Sequence, residues 1–227
     1  MLETCSCFYN CLVNSTEKEY APQFIITACR FIGLTASKIL WRIEFHGLEN
    51  IPKDLKTGLI IAPNHQTYVD PVWVCLKLKR KFRFMAWDEI FTWFFIGRLI
   101  KYLGAFPVGF NRKGFVKASR KALQVLREGA TLIIFPEGER EFSDGKMLSF
   151  KPGAVRLAME AEVPILPVTI RGANKIWAQD MKYPRFGKVE IIYHPIFDVP
   201  KPENNENLQA HIKELNAKLF DIISSKL

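Results

Sequence analysis

Short apolar runs alternating with helix-period stretches constrain this chain more than any other feature. Leu59 to Ala62, Phe82 to Ala86, Thr131 to Phe135, Ile165 to Ile170 and Val189 to Tyr193 read as strands. Trp41 to Gly47 alternates, with Ile43 and Phe45 on one side, and Gly104 to Phe110 is strand-like through Pro107. Between them, helices are expected from Asp70 to about Lys79, Asp88 to Leu103, Lys113 to Arg127 and Pro152 to Glu160. Asp70-Pro71 is a helix cap followed by proline at the first helical position, and Gly129 closes the helix before it. Leu208, Ile212, Leu215, Leu219 and Ile222 line one face of a C-terminal helix, after a linker-like stretch from Pro200 to Glu206. This alternation predicts an α/β fold: a single domain with a mostly parallel central sheet flanked by helices. A chain of 227 residues suits one such domain, residues 42–227, behind an N-terminal segment, residues 1–41.

The composition narrows the surroundings. Hydrophobic residues make up 48% of the chain and phenylalanine alone contributes 18, which points to a lipid surface or a lipid pocket. A formal charge of +9 fits anionic partners such as phospholipid headgroups, phosphorylated substrates or CoA. Nucleic acid ranks low, because no zinc-finger spacing or ribonucleoprotein-type aromatic motif is present. Five cysteines, an odd number, argue against a disulfide framework. Cys5, Cys7 and Cys11 read as reduced thiols rather than as a metal site, for which a fourth ligand is lacking nearby.

The start of the chain is not a secretory signal, since Met1 to Cys11 carries Glu3 and no basic n-region. Phe24 to Leu40 is strongly apolar but interrupted by Arg30 and Lys38, so it falls short of the roughly 20 apolar residues of a membrane span. Phe24, Ala28, Phe31, Ile32 and Ile39 share one helical face, which suits a helix lying in a membrane interface. A helix packed on the globular domain would need the same stripe. The basic run Lys77, Lys79, Arg80, Lys81 and Arg83 fits either anionic lipid or a solvated face.

Two segments carry the chemistry. Asn64-His65-Gln66-Thr67-Tyr68-Val69-Asp70 places an imidazole and a carboxylate five residues apart. Neutral imidazole can take a proton from a hydroxyl, and a carboxylate can fix its tautomer and stabilise the imidazolium. Residues five apart lie about 140° from each other on a regular helix. The pair can therefore meet only if His65 sits in the loop and Asp70 caps the following helix. Asp70 as a simple cap and His65 as a loop residue remains the alternative. Phe135-Pro136-Glu137-Gly138-Glu139-Arg140 is a buried run entering a turn, with glycine for unusual dihedrals and a planar guanidinium for phosphate. Glu137 could bind hydroxyls or orient a neighbour. A charged surface turn is the bland reading. Glu137, Glu139, Glu141 and Asp144 could be imagined around magnesium, but carboxylates on turns are ordinarily just solvated, and no metal is expected. No nucleophile elbow, Walker A loop or dinucleotide fingerprint is present, and Cys75 reads as core.

At these residues the chain resembles the glycerolipid acyltransferase family. The resemblance runs in order from Ile43 to Asp198. Asn64-His65-x4-Asp70 is similar to the family's catalytic His-x4-Asp block. Gly104-Ala105-Phe106-Pro107-Val108 with Asn111-Arg112 resembles the second block, whose arginine helps hold the acceptor phosphate. Phe135-Pro136-Glu137-Gly138-x-Arg140 resembles the third, which binds glycerol phosphate. Phe150-Lys151-Pro152-Gly153-Ala154 resembles the basic stretch after it, and Val163-Pro164-Ile165-Leu166-Pro167-Val168 the fourth block. Glu139 and Glu141 depart from the usual threonine and serine, and Trp87 stands where relatives often carry a basic residue.

The resemblance implies a membrane-associated acyltransferase, at the cytoplasmic face of the cell membrane. It would move a fatty acyl group from acyl-CoA or acyl carrier protein to lysophosphatidic acid, giving phosphatidic acid in phospholipid biosynthesis. His65 and Asp70 would be catalytic. Asn64, Arg112, Glu137, Gly138, Arg140 and Lys151 would bind substrate, with no cofactor. Two rivals are an acyltransferase for another lysophospholipid or an amino-acid lipid, and a non-catalytic membrane-binding protein. A third, a metal-dependent hydrolase, would be separated by its sensitivity to chelators.

Overall fold

Seven strands, β1 (Glu44–His46), β2 (Leu59–Pro63), β3 (Phe82–Trp87), β4 (Ala105–Val108), β5 (Thr131–Ile133), β6 (Ile165–Arg171) and β7 (Glu190–Tyr193), form one sheet. Its order is β1-β7-β6-β2-β5-β3-β4. Every pairing is parallel except β6 with β7. The computed structural model describes residues 21–53, 56–109, 111–140, 145–177, 181–202 and 207–227. Cys5, Cys7, Cys11, Glu141 and Asp144 lie outside the described residues.

Among the described residues, six helices cover the sheet: α1 (Gln23–Trp41), α2 (Asp70–Cys75), α3 (Phe94–Tyr102), α4 (Arg112–Arg127), α5 (Gly153–Ala161) and α6 (Leu208–Ser224). The central strands are apolar throughout because they are buried on both faces. Ile60, Ala62, Leu132 and Ile165 face α4, α5 and α6, meeting Ala118, Ala122, Ala158 and Leu219. Leu59, Ile61, Ile133 and Leu166 face the other way, against Trp73 and Val74 of α2 and, at the margin, Leu34 and Trp41 of α1. The period of two in β2 thus sorts its side chains between two cores.

Several sequence expectations change in detail. The helix opened by Asp70 stops at Cys75, well short of Lys79. The expected helix from Asp88 to Leu103 is a 3-10 turn, Asp88–Thr92, and then α3, with an extended Trp93 between them. Gly97 explains the break: a Cβ there would stand 2.4 Å from the carbonyl oxygen of Phe91, so the two pieces fold tightly onto each other. On α6 the buried residues are Ile212, Leu215, Leu219 and Ile223, while Leu208 is exposed and Ile222 is not part of the buried set. The basic run does not form one surface. Arg80 donates to the carbonyls of Thr57 and Gly129 and to Thr131 Oγ1, and Arg83 is buried.

Helix α1 is turned inside out relative to a core helix. Its sheet side carries Arg30, Gly33, Leu34 and Ser37, where Ser37 Oγ accepts from Trp73 Nε1 at 3.1 Å. Its outer side presents Phe24, Phe31, Ile32 and Ile39, each 66–74% exposed. The apolar stripe therefore does not serve the domain core. The helix has 19 residues and is long and apolar enough to cross a membrane by length and composition, which corrects the shortfall inferred from Arg30 and Lys38. A bare apolar face of this extent suits contact with lipid.

Candidate active site

The site forms where neighbouring parallel strands end together. β6, β2 and β5 are adjacent, and the loops leaving their carboxyl ends meet at one edge of the sheet. Ligands of open α/β sheets bind at this edge. His65 follows β2, Glu137 to Arg140 follow β5, and Asn174 follows β6.

Asp70 organises the first loop. It has no exposed surface, whereas the His65 side chain keeps 18% of its own. Asp70 Oδ2 accepts from His65 Nδ1 at 2.9 Å and from the backbone N–H groups of Gln66 at 2.6 Å and Thr67 at 2.8 Å. Asp70 Oδ1 accepts from Thr67 Oγ1 at 2.6 Å. An ionised carboxylate only accepts, so the imidazole proton belongs on Nδ1 and the basic lone pair on Nε2. The ring is stacked on Phe135, centroids 4.0 Å apart, which ties the first loop to the second. His65 lies in the loop, as the spacing required, but Asp70 does not cap α2: Val69 holds the cap position without a side-chain bond, and Asp70, the first residue of the helix, turns its carboxylate back to the loop N–H groups.

Asn64 and Glu137 are placed differently from expectation. Asn64 is 1% exposed; its Nδ2 donates to Ile170 O at 3.0 Å and its Oδ1 accepts from Ile170 N at 2.6 Å. The side chain acts as one more peptide unit between β2 and β6. Glu137 is equally buried, with Oε1 accepting from His65 N at 2.7 Å and Oε2 from Leu148 N at 2.8 Å. Neither faces the opening. Asn64 holds the β6 backbone at Ile170, and Glu137 holds the backbone of His65 itself.

The turn after β5 brings Gly138 against Lys151 and Arg140 against Tyr68. Gly138 has φ 74°, a conformation that favours glycine, and the Lys151 stem crosses over it, with Cδ and Nζ 2.8 Å from where a Cβ would stand. Lys151 N donates to Pro136 O at 2.7 Å, and its Nζ lies 3.9 Å from Glu139 Oε1. That exposed pair offsets the carboxylate that departs from the family pattern. The Arg140 guanidinium lies flat against Tyr68, with Cζ 3.4 Å from the ring centroid, and Tyr68 is 6.1 Å from the Trp177 ring. Tyr68 stands three residues after His65, so the cation and the imidazole share a wall. Arg112 sits at the first position of α4, exposed on the same sheet edge, and makes no hydrogen bond to His65, Arg140 or Lys151 among the described residues.

Sequence reasoning passed over Tyr68, Phe135 and Gln66. Gln66 Nε2 donates to Gly145 O at 3.1 Å and Oε1 accepts from Asn174 N at 3.3 Å, joining all three loops. Each is an ordinary residue type whose role depends on contacts distant in sequence. Among the described residues, Glu44, His46 and Glu190 lie close enough to share a metal ion. They sit on the β1–β7 edge and are already matched by Lys188, 2.9 Å from Glu44, and by Arg171, 2.6 Å from Glu190.

The chain is similar to known proteins over most of its length. The family profile described as Acyltransferase matches residues 42–171. The 1-acyl-sn-glycerol-3-phosphate acyltransferase of Borreliella burgdorferi is 31% identical over 204 residues, covering 88% of this chain and 79% of that protein. The chloroplastic 1-acyl-sn-glycerol-3-phosphate acyltransferase of Arabidopsis thaliana is 31% identical, covering 80% of this chain and 49% of the relative. The chain thus spans about half the length of that relative. The crystal structure of the 1-acyl-sn-glycerophosphate acyltransferase PlsC from Thermotoga maritima superposes with a TM-score of 0.70 at 26% identity, covering 96% of this chain and 89% of that one. With a buried carboxylate holding a loop imidazole at the matched segment, the chain belongs to the acyltransferase family.

Proposed function

We propose that this protein transfers a fatty acyl group from a thioester donor to the free hydroxyl of lysophosphatidic acid, producing phosphatidic acid. The observation that carries this reading is the His65–Asp70 pair, 2.9 Å apart, on the same rim as the stacked Arg140. The names of the relatives supply the substrate class. In this mechanism His65 Nε2 takes the hydroxyl proton as the oxygen attacks the thioester carbonyl. A C–O bond forms, the C–S bond breaks, and the thiolate leaves with the proton that the imidazolium returns. Asp70 holds the tautomer and balances the transient positive charge. Arg140 and Lys151 hold the acceptor phosphate, Gly138 gives it room, and Arg112 guards the outer rim. Positioning of acceptor against donor supplies much of the rate.

The reaction balances without a cofactor. Lysophosphatidic acid and the product are lipids, and the bare face of α1 suits a protein working at the cytoplasmic face of the cell membrane, where thioester donors are made. A different lysophospholipid stays in view through Glu139. The test supplies the purified chain with labelled acyl-CoA and acyl carrier donors and a panel of lysolipids. Phosphatidic acid is the expected product, and His65→Ala is expected to abolish it while leaving the thermal unfolding profile in place. Full turnover by His65→Ala would remove the mechanism; preference for a phosphate-free acceptor would remove the substrate.

A further inference from the structure

Beyond Arg112, helix α4 carries a row of cations that the proposed acyl-transfer site does not use. Its first turn holds Arg112 and Lys113 and no acidic residue. Lys117 and Arg120 continue the row, and with Val116 these residues line a groove of about 400 Å³. Lys113, Lys117 and Arg120 have no hydrogen-bond or ion-pair partner among the described residues. Cations at a helix N-terminus oppose the helix dipole, so the row is not there for the stability of the helix. Val116 is exposed among them.

The direction and place of this face limit what can bind it. At 3.6 residues per turn, Lys113, Val116, Lys117 and Arg120 point away from the buried Ala118, Ala122 and Val125. The row therefore faces outward from the α4–α5–α6 side of the sheet, whereas the bare face of α1 belongs to the opposite side. A bilayer lying flat against α1 is on the other side of the sheet from the row. From Arg112 to Arg120 the helix rises about 12 Å, longer than one phosphate group and suited to a line of carboxylates. The row begins at the carboxyl end of β4, on the edge that carries His65, and β4 is three ladder neighbours from β2, about 14 Å.

We propose that the outer face of α4 docks an acidic acyl carrier protein, with Lys113, Lys117 and Arg120 meeting its carboxylates and Val116 an apolar contact between them. This rests on the acyltransferase reading and names the donor for it. A carrier seated there presents its thioester arm along the sheet edge toward His65.

The test compares the full chain with the triple variant Lys113→Glu, Lys117→Glu, Arg120→Glu. Fluorescence anisotropy measures binding of labelled carrier without an acyl group, so no turnover is needed. The expected result is a Kd for the variant at least about tenfold weaker, with the steep salt dependence of the native protein lost. Flotation with anionic phospholipid vesicles is expected to stay the same, and the melting temperature not to fall, since acids suit the N-terminal end of α4. Native protein that binds no carrier, or a variant that binds it as well, overturns the proposal. So does a variant that loses vesicle flotation instead, which would assign the row to lipid. So does an equal rise in KM for acyl-CoA and for acyl carrier, which would assign it to nucleotide phosphates. Each of these can occur while native protein still acylates lysophosphatidic acid from acyl-CoA, so failure here is separable from failure of the enzyme reading.

Discussion

Replacing Asp70 by asparagine separates the charge of this residue from its shape. Asparagine keeps an oxygen for His65 Nδ1 and for the N–H groups of Gln66 and Thr67, and the Thr67 hydroxyl can turn to accept from the new amide. The lost quantity is the attraction between a carboxylate and the imidazolium formed during transfer. At 2.9 Å and an effective dielectric of about 20, that attraction is about 6 kcal/mol. Each 1.36 kcal/mol is a factor of ten, so the ceiling is about four decades in rate. Solvent at the open edge of His65 lowers it, and a fall in kcat of about a hundred- to ten-thousand-fold is expected. The assay is initial-rate acyl transfer at saturating donor and acceptor, beside a thermal melt of each protein. A melting temperature close to native with kcat within fivefold of native would refute the role given to Asp70.

Alanine at the same position is expected to behave differently. It leaves the buried N–H groups of Gln66 and Thr67 without an acceptor, at about 1–3 kcal/mol each. Against a total stability of about 5–15 kcal/mol this is a large loss. Asp70→Ala should melt early, whereas Asp70→Asn should fail only in catalysis.

Other outcomes follow from single contacts. Tyr68→Ala removes the surface beneath Arg140, and cation–π energies of about 0.5–2 kcal/mol correspond to an acceptor KM about two- to thirtyfold higher with the donor KM unchanged. Tyr68→Phe should stay near native, and a phenylalanine variant as poor as alanine would contradict stacking. Burial, aided by Lys226, pushes the His194 imidazole below its usual pKa, while His194 Nε2 is 2.8 Å from Thr169 Oγ1, whose proton goes to Ile223 O. The folded state therefore favours neutral His194: its contribution is complete above about pH 6.5 and is lost as pH falls from there toward the lowered value. Melting temperature should decline over that window, and His194→Gln should flatten the decline; an unchanged slope would clear His194. In a chain whose only cysteines are Cys29 and Cys75, a polar maleimide should label exposed Cys29 rapidly in solution and slowly once vesicles are added. Cys75, buried with its thiol pushed up by desolvation, should stay unlabelled in both; equal Cys29 rates would argue against lipid contact.

The sequence displays the sheet and the reactive pair because both are local. β2, β5 and β6 are unbroken apolar runs, which only a doubly covered parallel sheet explains, and Asp70-Pro71 forces His65 off the helix axis. What the sequence hides is set by contacts across the sheet edge. Asn64 and Glu137 belong to motif segments and look like ligands, yet burial turns both into backbone clamps. Tyr68 looks like a loop aromatic, yet it is the seat of Arg140. Helix α1 misleads in the opposite way: an apolar stripe normally marks the side that packs, and here it marks the side that does not.

That inversion gives the molecule two unlike exteriors on opposite faces of one sheet. On one, α1 offers phenylalanine and isoleucine; on the other, α4 offers lysine and arginine with no acid among them in its first turn. The reactive loops lie on neither face but on the edge between them, at the ends of β6, β2 and β5. A lipid acceptor and a water-soluble donor have opposite solubilities, and an enzyme joining them must reach both phases at once. In the proposed reaction the acceptor enters along the α1 side with its phosphate drawn to Arg140, and the donor enters along the α4 side. The hydroxyl and the thioester then meet at His65, where the parallel strands bring both faces within one loop's reach.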